Sequence, residues 1–311
     1  MQTINRKNHT PDKKCVVALG NFDGVHLGHT ALIGEAVRLA KQCGLFSCVY
    51  TFSRHPGNFK NGINSIITDN CEKEQIISSL GADILCFEDF ESVKDLSCRR
   101  FCQEILVDAL GCEIAVCGDN YSFGAGGVGR SCDLVREMEA LGKKAVVIEC
   151  VKQSETPVNS TLIRKLICDG EVEKASALLG RRYSLCATVV HGKELGRKLG
   201  SPTINQLFPD TKVRPKNGVY ISLCFADGKK YAGVTNVGTN PTVNSESSSP
   251  KVLCETHLIG YKGDLYGKEV RVEFCKRLRD EKKFQSLDAL KDEIMKNMSQ
   301  AQAYFEKEEL L

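Results

Sequence analysis

Nowhere does the chain of 311 residues hold the ~20 consecutive apolar residues that a bilayer-spanning helix needs. Its opening, MQTINRKNHTPDKK, lacks the apolar centre of a secretory leader. A cytoplasmic protein without a membrane partner is therefore expected. Excess charge is also scarce. A net charge of +3 is too small to indicate nucleic acid as a partner. The sixteen cysteines include no C-x-x-C, and close pairs such as Cys98/Cys102 and Cys112/Cys117 are wider than that, so neither a zinc site nor a disulfide framework is indicated. Cys15, Cys48, Cys86, Cys117, Cys150, Cys186, Cys224, Cys254 and Cys275 lie in apolar, strand-like stretches and should behave as small buried hydrophobes. None is expected to be catalytic. There is no Walker A sequence. Residues 124–129 fit G-x-G-x-x-G, but Gly124 stands several residues beyond its strand and no acidic residue follows in context, which weakens a dinucleotide reading.

What is present has the balance of a soluble globular protein, 42% hydrophobic and 26% charged, and its length predicts two domains. Strand-like runs at 15–19, 46–52, 83–87, 113–117 and 144–150 alternate with helical patterns near 29–42, 72–80, 97–110 and 131–142. Such alternation predicts a parallel sheet with helices on both faces. A further helical pattern covers 160–179. Beyond Arg181 the apolar period changes from 3.6 to 2, with strand-like runs at 183–191, 218–225, 230–237, 252–259 and 268–276. This predicts a small antiparallel barrel or sandwich closed by a helix near 286–298. The expected domains are 1–182 and 183–311. SESSS at 245–249 reads as a loop, and there is no internal repeat.

The most informative stretch is GNFDGVHLGH, residues 20–29. An apolar strand feeds a glycine-containing turn, and a helix follows. His26 and His29, spaced i and i+3 near the helix start, share one face beside unpaired backbone N–H groups and the positive end of the dipole. Two imidazoles and a helix N-terminus aimed at one point suit a triphosphate under attack at its α-phosphorus. Two surface histidines beside an ordinary strand-to-helix turn are the alternative. In an open α/β sheet, ligands bind beyond the carboxyl ends of the strands. The loops after 15–19, 46–52 and 113–117 all leave from that edge.

The stretch resembles the HxGH nucleotidyltransferases, and specifically the adenylyltransferase half of bacterial bifunctional riboflavin kinase/FAD synthetases. Further segments match that family in order: Thr51-Phe52 with His55-Pro56, Gly118 to Gly124, and Asn159 to Arg164. They continue through LGRRY (179–183), GRKLGSPTIN (196–205), Gly233 to Gly238 with Asn240-Pro241-Thr242, Glu255-Thr256-His257, and LRDEKKF (278–284).

The resemblance implies a Rossmann-like first domain that transfers AMP from ATP to FMN, and a barrel that phosphorylates riboflavin. It implies ATP contacts at Gly20, Asn21, Phe22, Asp23, His26, His29, Ser160, Thr161 and Arg164. In the second half it places Gly192, Gly196, Arg197 and Lys198 over the phosphates, with Thr203 and Asn205 as ligands of Mg²⁺ and phosphate. Glu255 becomes the base. Asp119, Asn120 and Phe123, together with Arg279, Glu281 and Phe284, fall on the flavin side. Turn formation, helix capping and solvated strand faces remain the plain alternatives for Asn21, Asp23, Ser160, Thr203 and Glu255. Ser201 and Ile204 stand where the family usually has Phe and Ala, and Asn120-Tyr121 where a variable residue and Phe are expected. Two other functions stay open: a nucleotidyltransferase for a different phosphorylated substrate with a regulatory barrel, and a flavin carrier without catalysis.

Overall fold

Cys15, Val17 and Leu19 point to one side of their strand and Val16 and Ala18 to the other, yet all five are buried. A strand covered on both faces belongs at the centre of an α/β sheet. In the computed structural model, which describes residues 1–6, 13–54, 65–192, 202–239 and 252–308, it does. Six parallel strands stand in the order β1-β4-β3-β2-β5-β8: β1 (Gln2–Asn5), β2 (Cys15–Leu19), β3 (Phe46–Phe52), β4 (Ile84–Glu88), β5 (Cys112–Gly118) and β8 (Lys144–Ile148). On one face pack α1 (Leu27–Cys43), through Leu32, Ile33, Ala36, Val37 and Ala40, and α2 (Asn70–Ser79), through Ile77. The other face takes α3, residues 98–109, through Phe101, Cys102, Ile105 and Leu106, and α4 (Ser131–Ala140), through Leu134 and Met138. Most of α3 is π-helical, from Phe101 to Ala109. Small ribbons β6/β7 (Ser122–Phe123, Gly129–Arg130) and β9/β10 (Lys152–Gln153, Thr156–Pro157) decorate the loops.

The chain forms two compact units, Met1–Ser160 and Thr161–Leu311. In the second, the helical pattern at 160–179 is two helices, α5 (Ser160–Cys168) and α6 (Val172–Leu179), separated at Gly170, which takes φ +81°. Six antiparallel strands close into a barrel in the order β11-β12-β15-β14-β13-β16. They are β11 (Tyr183–Val190), β12 (Thr203–Leu207), β13 (Gly218–Ala226), β14 (Lys229–Thr239), β15 (Val252–Leu258) and β16 (Glu269–Arg279). The expected barrel or sandwich is thus a barrel, and β12 is a strand lying outside the expected strand-like runs, at residues for which turn formation was the plain alternative. The closing helix α7 (Leu287–Glu308) seats Ala301 and Phe305 against Ile221, Leu223, Ala232 and Cys275.

All sixteen cysteines are free thiols. Burial pushes Cys86, Cys102 and Cys117 up to about 12, so they stay protonated and inert. Cys150 departs from expectation. It is exposed, because β8 ends at Ile148 and the chain has already left the sheet. Cys186 is only half-buried.

Candidate active sites

In the first unit β2 has β3 on one side and β5 on the other, so the chain switches direction across the sheet at β2/β5. That is where open α/β sheets bind ligands. The turn after β2 is backbone-strained: Phe22 takes φ 47° and Val25 φ 36°, conformations that non-glycine residues keep only when their surroundings over-determine them. The surroundings do so. Gly20 N–H donates to Tyr50 O at 3.3 Å. A Cβ on Gly20 would lie 2.9 Å from the Phe22 ring, which folds back beneath the turn. The buried Asp23 carboxylate accepts the N–H groups of Ile67 (2.9 Å) and Thr68 (3.2 Å), and Ser160 Oγ donates to the Asp23 carbonyl at 2.8 Å. These bonds give Asp23 and Ser160 the work of holding the turn.

His26 is the N-cap of α1 rather than a residue of its first turn. Its Nδ1 accepts the His29 N–H at 3.3 Å. Acceptance at Nδ1 leaves Nε2 as the ring's N–H donor. The two imidazoles stack, centroids 3.6 Å apart and planes 16° apart, and Phe22 meets His29 edge-on at 5.2 Å. No acidic residue sits in the first turn of α1, so the positive helix end is left for an anion.

The loop after β5 is built around Asp119, whose Oδ2 accepts the Cys150 N–H at 3.1 Å and whose carbonyl accepts Ser131 Oγ at 3.0 Å. Asn120 is exposed. Phe123 is buried against Phe101, with Tyr121 stacked at 5.8 Å, so its ring supports the loop from inside. Thr161 and Arg164 open the second unit, on α5.

In the barrel, register does the assembling. Asn205 on β12 is opposite Glu255 on β15, and Glu255 is opposite Asn236 on β14. Residues directly opposite share a face, with Cβ atoms about 4.5–5.5 Å apart. Thr203, two residues from Asn205, is on the same face, opposite His257. Asn205 is only 4% exposed, and Gly192 crosses it so closely that a Cβ there would overlap the Asn205 amide. His257 Nδ1 donates to Pro202 O at 2.8 Å, anchoring the start of β12. Beyond Asn236 lies the third group. Asn236 Nδ2 donates to Glu281 at 3.4 Å and Asn217 Nδ2 to the same carboxylate at 3.2 Å. Arg279 pairs with Glu293 at 3.0 Å and lies 5.8 Å from the Phe284 ring. Gly196, Arg197, Lys198, Ser201, His55-Pro56 and Asn240-Pro241-Thr242 lie outside the described residues.

The oxygens of Thr203, Asn205 and Glu255 are hard and few, the donor set that suits Mg²⁺ when phosphate and water complete its shell. Among the described residues no group of three or more His, Cys, Asp or Glu could hold a metal.

Two residues of these sites escaped the sequence reading. Asn236 was legible only as part of the Gly233–Gly238 segment, without a role. Lys73 of α2 is the other: it is 6% exposed, and its Nζ donates to the Asn21 carbonyl at 3.1 Å.

A parallel sheet with a histidine-bearing turn at its switch point, followed by a closed barrel carrying a carboxylate between two amides, defines a two-unit enzyme of the nucleotidyltransferase class. Residues 8–162 match the FAD synthetase family model and residues 179–305 the riboflavin kinase model. The bifunctional riboflavin kinase/FMN adenylyltransferase of Pseudomonas fluorescens is 33% identical over 93% of this chain and 92% of its own length. Those of Bacillus subtilis (32%, 94% and 93%) and Escherichia coli K12 (31%, 97% and 96%) match similarly. The chain belongs to the bifunctional riboflavin kinase/FMN adenylyltransferase family. A solved structure described as a macrolide-efflux protein from Streptococcus pneumoniae superposes with a TM-score of 0.89 at 28% identity, covering 97% of this chain and 99% of that one. No helix among the described residues here is long and apolar enough to cross a membrane.

Proposed function

We propose that the chain makes flavin cofactors in two steps: riboflavin and ATP give FMN and ADP, then FMN and ATP give FAD and pyrophosphate. One contrast carries this reading. A stacked imidazole pair stands at a helix N-terminus in the first unit, and a carboxylate stands opposite an amide in the second. The two suit different phosphate chemistries.

In the first unit an FMN phosphate oxygen attacks the α-phosphorus of ATP and the bond to the bridging oxygen of pyrophosphate breaks. The nucleophile is already an anion, so no base is needed. What the protein supplies is alignment and neutralisation of charge growing on the α-phosphate. His26 through Nε2–H, His29, and the N–H groups of the Gly20–Asp23 turn fill that role, with Thr161 and Arg164 on the remaining phosphates and Ser160 holding the turn through the Asp23 carbonyl. Asp119, Asn120 and Phe123 form the flavin-side loop.

In the barrel a neutral ribityl hydroxyl must lose its proton as its oxygen attacks the γ-phosphorus and ADP leaves. Glu255 takes that proton. Thr203 and Asn205 would hold Mg²⁺, whose chemistry there is to bind and neutralise the ATP phosphates. Gly192, Gly196, Arg197 and Lys198 cover the phosphates, and Arg279, Glu281 and Phe284 face the flavin. The cytoplasm is the proposed location, since its reducing poise keeps sixteen thiols free. Incubation with riboflavin, ATP and Mg²⁺, followed by chromatographic separation of flavins, should show FMN and then FAD. Unconverted riboflavin would overturn the kinase reading, and FMN that never becomes FAD the transferase reading.

A further inference from the structure

Lysine is rarely this buried without a partner that requires it. Lys73 enters from α2 beneath the strained turn. Its ammonium donates to the Asn21 carbonyl at 3.1 Å and to Thr51 Oγ1 at 3.5 Å, while Thr51 Oγ1 itself donates to the same carbonyl at 2.9 Å. One carbonyl thus takes two donors, which fixes the plane of the Asn21–Phe22 peptide. The described chain has no cis peptide bonds, so the Phe22 N–H points opposite to the pinned carbonyl, away from Lys73.

We propose that Lys73 is a positioning residue for adenylyl transfer, holding the Asn21–Phe22 peptide so that its N–H is presented on the phosphate side of the turn. The proposal rests on the assignment of this turn to ATP. A purely space-filling residue between β3, β4 and the turn would be apolar, because burying a charge is costly unless its partners repay it. The partners come from every neighbouring element. Asp23, in the turn after β2, supplies the facing charge; Thr51, from β3, a hydroxyl; Phe87, from β4, a ring 6.0 Å from Nζ. On α2 itself, Asp69 and Glu72 are committed to each other's backbone in a capping box. Burial lowers the Lys73 pKa to about 8, partly countered by Asp23, so this ammonium loses its charge in mild alkali.

The test uses the full chain with Lys73→Met and Lys73→Arg. FAD formation from FMN and ATP is followed from pH 6.5 to 9.5, with riboflavin phosphorylation as the control. Wild-type kcat for FAD should fall as pH rises through about 8. Lys73→Met should lose about tenfold to a hundredfold in kcat at pH 7, the usual cost of a small misplacement. It should also lose the alkaline limb. Lys73→Arg should restore most of the rate and carry the limb beyond the measured range. Wild-type kcat in Lys73→Met, with the limb unmoved, overturns the proposal. Should the Met variant fail to fold, the Arg variant decides: a limb still near 8 overturns it, a displaced limb supports it. A wild-type chain that makes no FAD at any pH overturns the assignment of the turn to ATP, and this proposal with it.

Discussion

Gly28 lies against the His26 ring: a Cβ added to it would sit 3.2 Å from Cε1 and 3.3 Å from Nδ1. The glycine between the two histidines is therefore not a matter of backbone freedom. It leaves room for the imidazole that caps the helix and stacks on His29. Gly28→Ala tests this cleanly, because in an ordinary helical turn the change would stabilise by about 0.5–1 kcal/mol. Here it should displace the ring and slow FAD synthesis on the order of tenfold. The melting temperature should change little, because losing the His26 cap offsets the helical gain. An unchanged rate would show that the ring position does not matter.

His29→Ala removes the donor proposed for the α-phosphate. Losing one such donor costs on the order of a hundredfold or more in turnover. Riboflavin phosphorylation in the same preparation should stay within error of wild type. Near-normal FAD formation would leave the histidines as turn residues.

Glu255→Gln keeps the size of the side chain and removes the proposed base. Riboflavin phosphorylation should drop by roughly two to four orders of magnitude, the usual worth of general-base catalysis. FAD synthesis from supplied FMN should persist, as should affinity for ATP with Mg²⁺. An undiminished kinase rate would reduce Glu255 to a strand carboxylate.

A stability measurement addresses Lys73 separately. Its folded pKa of about 8 lies below the ordinary 10.5. Between those values the unfolded chain holds more protons than the folded one, so this group's contribution to stability rises with pH. Below about 8, keeping the ammonium charged inside the fold costs about 3 kcal/mol, net of what Asp23 and its other partners return. Urea unfolding of wild type and Lys73→Met at pH 7 and pH 10 should show the difference shifting in favour of wild type at the higher pH. A difference independent of pH would mean that Lys73 is not the group that titrates.

The functional boundary proposed at 182/183 is checked with fragments. Residues 183–311 should convert riboflavin to FMN and make no FAD. A fragment from Thr161 should melt higher, because α6 brings the buried side chains of Val172, Ala175, Leu178 and Leu179 to the barrel unit. A folded barrel without kinase activity would move the boundary.

The strands and helices that were legible in the sequence are those with a strong apolar period. β1 was not, since Gln2, Thr3 and Asn5 are exposed and only Ile4 turns inward. β12 was hidden because Pro202-Thr203 reads as turn chemistry, and a five-residue strand offers too few alternations to outvote it. The site divides in the same way. His26 and His29 show through spacing and context, whereas Lys73 sits in a helix whose charged neighbours make it look solvated. Its burial arises from α2 lying over the turn after β2, a contact between residues 52 positions apart that no local pattern encodes. The row Asn205–Glu255–Asn236 is likewise a product of strand register, and register is a tertiary fact.

The small strand β1 carries a consequence for how this chain behaves in crowded solution. It is the outermost strand beside β4, whose Ile-Leu-Cys-Phe-Glu run is mostly buried, and it is fastened by Arg6 to the buried carboxylate of Glu88, which also accepts Ser92 Oγ at 2.8 Å. A four-residue border with polar side chains offers a poor template for another chain, whereas a bare, apolar β4 would offer a good one. The inconspicuous first residues therefore cover an apolar sheet edge with a short polar border.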